Sequence, residues 1–403
     1  MSNDSAVPKI VINERAAARL RAGHVWVYTS DVLTPDRAAP GALAHVVDKN
    51  GRVLGAALYS SSSQISLRLL TRERVGLVSS EDELLQLVRA RLAEALDYRK
   101  LVVRDSNACR LVFSEADRLP GLIVDRYSDV FTVQMLTQAW DQPQRRQTVV
   151  ETLESLSGAE HIVERVDERI RELEQLPALE SSILRGKKSA TAITMNGVQF
   201  HYDALGGQKT GAFLDQRENY AAAARYGKGQ ALDVCTYQGG FALHLARVCE
   251  SVTAVDSSRE ALEIAEQNEK LNAAGNKNEI EWMEANAFDL LKDYATAGKQ
   301  YDIIVLDPPA FAKSKKKLDD AMRGYKEMNL RALKMLRPGG LLVTCSCSHH
   351  VRWADLEGAV TSAAIDAGRR VRLLERRGAA LDHPVVLNLP ETEYLKCLVL
   401  ERE

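Results

Sequence analysis

The chain has 403 residues, two to three times the usual domain size, so two or three domains are expected. Hydrophobic residues make up 45% and charged residues 27%, an ordinary globular composition. The formal net charge of −2 excludes nucleic-acid binding through overall charge, leaving local basic patches as the only route to RNA. No apolar run approaches the roughly 20 residues that span a bilayer, and the opening MSNDSAVPKI lacks the basic and apolar blocks of a signal peptide. Six cysteines are too sparse for a disulfide framework and show no zinc spacing, so free thiols in a reducing cytoplasm, and no metal, are expected.

Residues 8–72 predict a β-rich module. KIVINERAAARLRAGHVWVYTSDV reads as a short strand, a helical turn and the aromatic stretch Val25–Tyr28. LAHVVDKNGRVLGAALYSS reads as a hairpin around Lys49-Asn50-Gly51, and ISLRLLT alternates as a further strand. Residues 80–100 carry leucine and alanine at helical spacing, with Ser80 as N-cap and acidic residues in the first turn. Strand-like segments follow at 108–116, 121–136 and 161–166, with a helix near 141–156. A second, small α+β domain over 73–190 is expected, with a linker near the basic turn LRGKKSATA (184–192).

From 191 onward strands and helices alternate. Short apolar strands at 230–235, 251–256, 279–284, 301–307 and 340–346 are separated by helices at 240–249, 258–273, 286–295 and 319–337. This pattern predicts a doubly wound, Rossmann-like parallel sheet. Two last strand candidates, with no good helix between them, predict an antiparallel pair at the sheet edge.

Five features in this half carry chemistry. ALDVCTYQGGFALHLA (231–246) predicts a strand, a tight Gly239-Gly240 turn and a helix, a loop that admits a ligand close to the backbone or is an ordinary βα turn. Asp256, ending the next strand, is placed to accept from ribose hydroxyls or to cap the following helix. Asn286 after the third strand suits either an adenine ring or a helix start. In YDIIVLDPPAF (301–311), Asp307 can bind the polar edge of a base while Phe311 stacks on its face. Cys345 and Cys347, at the carboxyl end of the fifth strand, stand on the rim where open α/β sheets build sites; a thiolate there can add to an electron-poor ring carbon.

On these residues the chain resembles the bacterial 23S rRNA cytosine-5 methyltransferases of the large-subunit methyltransferase I type. GHVWVYTSDV is similar to the start of their PUA domain, SEADRLPGLIVDRY to their central domain and GGQKTGAFLDQREN (206–219) to their cofactor-covering segment. The resemblance covers nearly the whole chain. It implies a PUA-like RNA-binding domain over 1–72, a central α+β domain over 73–190 and a methyltransferase domain over 191–403. S-adenosylmethionine is the implied cofactor, and 23S rRNA or a large-subunit precursor the implied partner. Members are often dimers, so a homodimer is a further expectation.

By carry-over, Gln208, Lys209, Thr210 and Gly211 line the methionine end of the cofactor. Asp233, Tyr237 and Gly239 form the first cofactor motif, Asp256 meets the ribose and Asn286 the adenine. Two positions depart from the pattern: Gln238 stands where the family has threonine, and Asn286 where it has an acidic residue. The implied mechanism has a cysteine thiolate add to carbon 6 of cytosine. Cys347 aligns with the family's nucleophile, Cys345 remains an alternative, and Asp307 orients the base. A related group carries a second cysteine after its Asp-Pro; here Pro309 or Ala310 stands there, which leaves the proton-abstracting group unassigned. Lys313, Lys315, Lys316 and Lys317 read as a phosphate clamp or a solvated loop. His349 and His350 read as exposed loop residues. Two other activities fit part of the pattern: methylation of an exocyclic purine amine, and a non-catalytic cofactor-binding ribosome-assembly factor. A metabolite methyltransferase leaves the N-terminal β module without a purpose.

Overall fold

The computed structural model describes residues 7–34, 38–72, 76–206, 212–311 and 317–403. The N-terminal module contains β1 (Lys9–Ile12), α1 (Glu14–Arg21), β2 (Trp26–Tyr28), β3 (Val32–Thr34), β4 (Leu43–Val47), β5 (Val53–Tyr59) and β6 (Ile65–Arg72). They form a six-stranded sheet in the order β2-β6-β5-β4-β1-β3. The expected hairpin joins β4 to β5, with Gly51 at φ +79°, the left-handed conformation that such turns require. Ile10, Ile12, Leu20, Val27 and Leu67 form its core.

The next unit starts with α2 (Glu81–Val102), whose N-cap Ser80 Oγ accepts from the Glu83 amide. Strands β7 (Ala108–Phe113), β8 (Leu122–Tyr127) and β9 (Val130–Met135), helix α3 (Pro143–Ser157), β10 (His161–Glu164), α4 (Glu168–Leu173) and β11 (Ser182–Arg185) follow. The strand-like run 121–136 is in fact a hairpin, reversed at Ser128 with φ +56°. Nor is LRGKKSATA a free linker. It contributes to β11 and to β12 (Ala190–Met195), which pairs with β13 (Val198–Asp203). That hairpin fastens the two halves: Ile193 and Met195 share a core with Ala108 and Val130, and Tyr202 stacks on Tyr127 at 3.4 Å between ring centres.

The C-terminal half comprises α5 (Arg217–Tyr226), β14 (Gln230–Val234), α6 (Gly240–Ala246), β15 (Ser251–Asp256), α7 (Arg259–Asn272), β16 (Ile280–Glu284), α8 (Ala287–Thr296) and β17 (Tyr301–Leu306). It ends with α9 (Leu318–Met335), β18 (Leu336–Ser346), α10 (Trp353–Ala367), β19 (Val371–Arg377) and β20 (Lys396–Arg402). The sheet order is β16-β15-β14-β17-β18-β20-β19. The first five strands are parallel, and the central β14, β17 and β18 are buried on both faces, as their apolar sequences require. β20 inserts antiparallel between β18 and β19, the edge pairing expected from the sequence. Helix α10 was not foreseen. The chain order reverses at β14, whose neighbours are β15 and β17, and the crevice at such a switch point is where ligands bind.

Candidate active site

Three turns at the carboxyl ends of β14, β15 and β17 build one side of a cavity of about 600 Å³. The turn after β14 is unusual in its backbone. Cys235, Tyr237 and Gly239 all have positive φ, at +65°, +52° and +87°. Non-glycine residues hold such angles only when their surroundings impose them. Here two carboxylates do so. Asp233 is fully buried, and its Oδ2 accepts from Thr236 Oγ1 at 2.6 Å and the Ala242 amide at 2.9 Å. Asp256 Oδ2 accepts from the Tyr237 amide, and its Oδ1 from the Ser258 amide, each at 2.9 Å. Asp233 therefore braces the turn from beneath, and burial pushes its carboxyl up to about 7. Tyr237 and Asp256 line the cavity itself. Gly240 is needed for packing: a β-carbon there would sit 2.5 Å from the buried Tyr220 hydroxyl oxygen.

Asn286 caps α8, its side-chain oxygen accepting from the Phe288 and Asp289 amides, while the flanking Ala285 and Ala287 line the cavity. Asp307 lies on the cavity floor after β17, where Gln216 Nε2 donates to its Oδ2 at 3.0 Å. Burial, with the Asp215 and Asp233 carboxylates nearby, raises its carboxyl to about 8 against the single opposing Gln216 bond. These surroundings favour the protonated carboxyl, the form that can donate a hydrogen bond. Pro308 and Pro309 line the wall. Phe311, expected to stack on a base, packs instead against Tyr325 at 4.9 Å and Phe288 at 5.9 Å between ring centres. Its ring completes an aromatic cluster under α9, and it is not among the cavity-lining residues.

The end of β18 separates the two cysteines: Cys345 is its penultimate residue, whereas Cys347 lies just past its last residue, Ser346, where the backbone leaves the sheet. Cys345 points into the core, fully buried opposite Cys397 of β20, which holds its thiol well above the usual range. Cys347, expected as the better candidate, lines the cavity. Burial and the Asp307 and Asp215 carboxylates push its thiol up to about 11, while the Lys396 ammonium favours the thiolate. Lys396 is itself buried, donating to the carbonyls of Ser348 and Tyr394 at 2.9 and 2.8 Å.

Sequence reasoning missed Asp215, Gln216, Tyr394 and Lys396. The first two stand in the segment already singled out, GGQKTGAFLDQREN, beside the residues chosen from it. Tyr394 and Lys396 had no signal, because they reach the rim only through the reversed direction of β20. Of the other expected site residues, Gln208, Lys209, Thr210, Gly211, Lys313, Lys315 and Lys316 lie outside the described residues. Among the described residues no cluster could hold a metal ion, and no helix is long and apolar enough to cross a membrane.

A switch-point cavity with a ribose-type carboxylate and a braced turn fits a nucleoside cofactor. The family models agree: one for a PUA-like domain matches residues 10–72, and one for S-adenosylmethionine-dependent methyltransferases matches residues 115–373. The protein is a methyltransferase that uses S-adenosylmethionine, joined to a PUA-like domain. A Klebsiella pneumoniae protein named Ribosomal RNA large subunit methyltransferase I is 35% identical over 98% of both chains. One of the same name from Shewanella amazonensis is 37% identical over 93% of this chain and 94% of its own. The chain belongs to this ribosomal RNA large subunit methyltransferase I family. The fold is also that of a methyltransferase crystallised with SAH, at 18% identity and TM-score 0.82 over 98% of this chain and 100% of that one. A SAM-dependent methyltransferase from Streptococcus mutans matches at 18% identity and TM-score 0.80, over the same shares.

Proposed function

We propose that the protein methylates carbon 5 of a cytosine in 23S rRNA through a transient adduct on Cys347. The observation that carries this reading is that Cys347, near the buried Lys396, lines the same methyltransferase cavity as Asp307, whose carboxyl is held toward its protonated form. The names of the relatives support ribosomal RNA as substrate. The PUA-like module over residues 1–72 then serves RNA binding, and the domain at 73–190 connects it to the catalytic half.

Asp256 would hold the ribose hydroxyls of S-adenosylmethionine, the Tyr237–Gly240 turn would approach its backbone-facing side, and Asn286 with Ala287 would flank the adenine. When bound, the cofactor supplies an electrophilic methyl group. Protonated Asp307 donates to ring nitrogen 3 of cytosine and draws electron density from carbon 6. Cys347, ionised with help from the Lys396 charge, adds to that carbon, and carbon 5 becomes nucleophilic. Loss of the carbon-5 proton restores the ring and expels the thiolate. An amine methyltransferase needs no thiol in its cavity.

Incubation with tritiated S-adenosylmethionine and deproteinised 23S rRNA, followed by nucleoside analysis, tests the proposal. Label in 5-methylcytidine supports it. Label in a methylated purine replaces it with the amine reaction.

A further inference from the structure

The carbon-5 reading leaves one proton without an acceptor. Once carbon 5 carries both a methyl group and a hydrogen, the hydrogen must leave as a proton before Cys347 can be expelled. The groups already assigned are unsuited. Asp307 is held neutral and bonded to Gln216. Cys347 is bonded to carbon 6 at that stage, and Asp233 is fully buried beneath the turn. Asp256 lies at the end of β15, three strand positions from β18, about 14 Å across the rim.

Two further carboxylates line the same cavity: Glu260, in the first turn of α7 beside Asp256 and so on the side away from Cys347, and Asp215. Asp215 lines it together with Cys347, Asp307 and Tyr394. Its main-chain carbonyl accepts from the Ala380 amide at 2.7 Å, and its Oδ2 accepts from the Tyr394 hydroxyl at 2.7 Å. No hydrogen bond to its Oδ1 is made among the described residues. The negative charge of Asp215 contributes to the raised pKa of both Asp307 and Cys347, which places it near each. It also borders a second cavity of about 100 Å³, shared with Tyr394, Arg110 and His383.

Strand order supplies the remaining geometry. The turns after β14 and β15 stand on one side of Asp307, and Cys347 and Tyr394 on the other. A methyl donor held by the turns of the first side would leave the carbon-5 hydrogen facing the second.

We propose that Asp215 is the base that removes the carbon-5 proton, with Tyr394 positioning its carboxylate. The inference rests on the carbon-5 reading. Asp215 takes the proton, and the carbon–hydrogen electron pair re-forms the double bond between carbons 5 and 6. The carbon 6–sulfur bond breaks, with its electron pair returning to Cys347 as thiolate. The proton on Asp215 then passes to solvent, for which the second cavity offers a path.

The experiment compares wild-type protein with Asp215→Asn on large-subunit RNA lacking the modification, in whichever form, deproteinised or assembled, the wild type methylates. Asp215→Asn is expected to transfer one methyl group and then stall. A denaturant-stable protein–RNA adduct should accumulate, with release slowed about 10²–10⁴-fold, the usual worth of a general base. Tyr394→Phe keeps the carboxylate but loosens it, so the adduct should persist about tenfold longer. If Asp215→Asn fails to fold, Asp215→Glu reads the same step, with a carboxylate displaced by one methylene. Unimpaired release in the folded variant overturns the assignment. So does loss of methyl transfer without any adduct, because the residue then acts earlier. RNA carrying 5-fluorocytidine separates the two levels: trapping by the wild type upholds the carbon-5 reading even if Asp215 is wrong. No trapping, with Cys347→Ala still active, removes both.

Discussion

Replacing Asp307 with asparagine removes the one carboxyl that the cavity keeps protonated. The folded protein holds that proton up to about pH 8, against an ordinary value of 3.8. The folded state therefore binds the proton more tightly than the unfolded chain does. The resulting stability is fully present below the ordinary value and is lost as pH rises through 8. Two pH units between 6 and 8 correspond to at most roughly 3 kcal/mol, at about 1.4 kcal/mol per unit. Part of the side chain faces the open cavity, where solvent screening reduces this to about 1–2 kcal/mol. Urea unfolding at pH 6 and pH 8, followed by circular dichroism, measures the effect. The wild type should lose about 1–2 kcal/mol more than Asp307→Asn over that interval. The variant should be the more stable protein at pH 8 and the poorer enzyme, because asparagine cannot deliver a proton to the base; turnover should fall about 10²-fold. Equal losses of stability in the two proteins would refute a protonated Asp307.

Cys347→Ala should abolish methyl transfer, whereas Cys345→Ala should keep it and lower stability by about 1–2 kcal/mol, the usual effect of a small core truncation; turnover and urea midpoints decide. The Cys347 thiol, at about 11, should be alkylated slowly by iodoacetamide at pH 8. Its thiolate fraction there is about 10⁻³, against about a quarter for an exposed thiol near 8.5. The rate should climb tenfold per unit to pH 10, slow further in Lys396→Met, and a plateau below pH 9 would contradict the assignment. Arg217 and Asp382 form a fully buried pair at 2.7 Å that also takes the Arg110 amide, tying α5 to the loop before β20 and to β7. Arg217→Met should leave the buried Asp382 with only His383 and the Arg110 amide, and cost up to about 3–5 kcal/mol, seen as a drop in Tm.

The strand–helix alternation after residue 191 was legible because each element repeats its own apolar period, and burial on both faces leaves continuous runs such as IIVL. Hairpin chemistry at Lys49-Asn50-Gly51 and the Ser80 cap were equally local, and the structure has both. Helix α10 and the hairpin of β12 and β13 escaped. The hairpin alternates plainly in the structure, with Val198, Phe200 and Tyr202 inward, but it lies against a basic turn that reads as linker.

In the site, what the sequence alone determined were the residues at strand ends: Asp256, Asp307 and Cys347 all reach the cavity, because parallel strands deliver their carboxyl ends to one rim. Only the tertiary structure decided which side chains on that rim face inward. Pairing with β20 buries Cys345 against Cys397, the end of β18 at Ser346 frees Cys347 to turn into the cavity, and the cluster of Phe288 and Tyr325 draws Phe311 away from it. The antiparallel insertion of β20 brings Tyr394 and Lys396 to residues far from them in the chain. Their contribution depends on strand direction, a long-range property that no local pattern encodes.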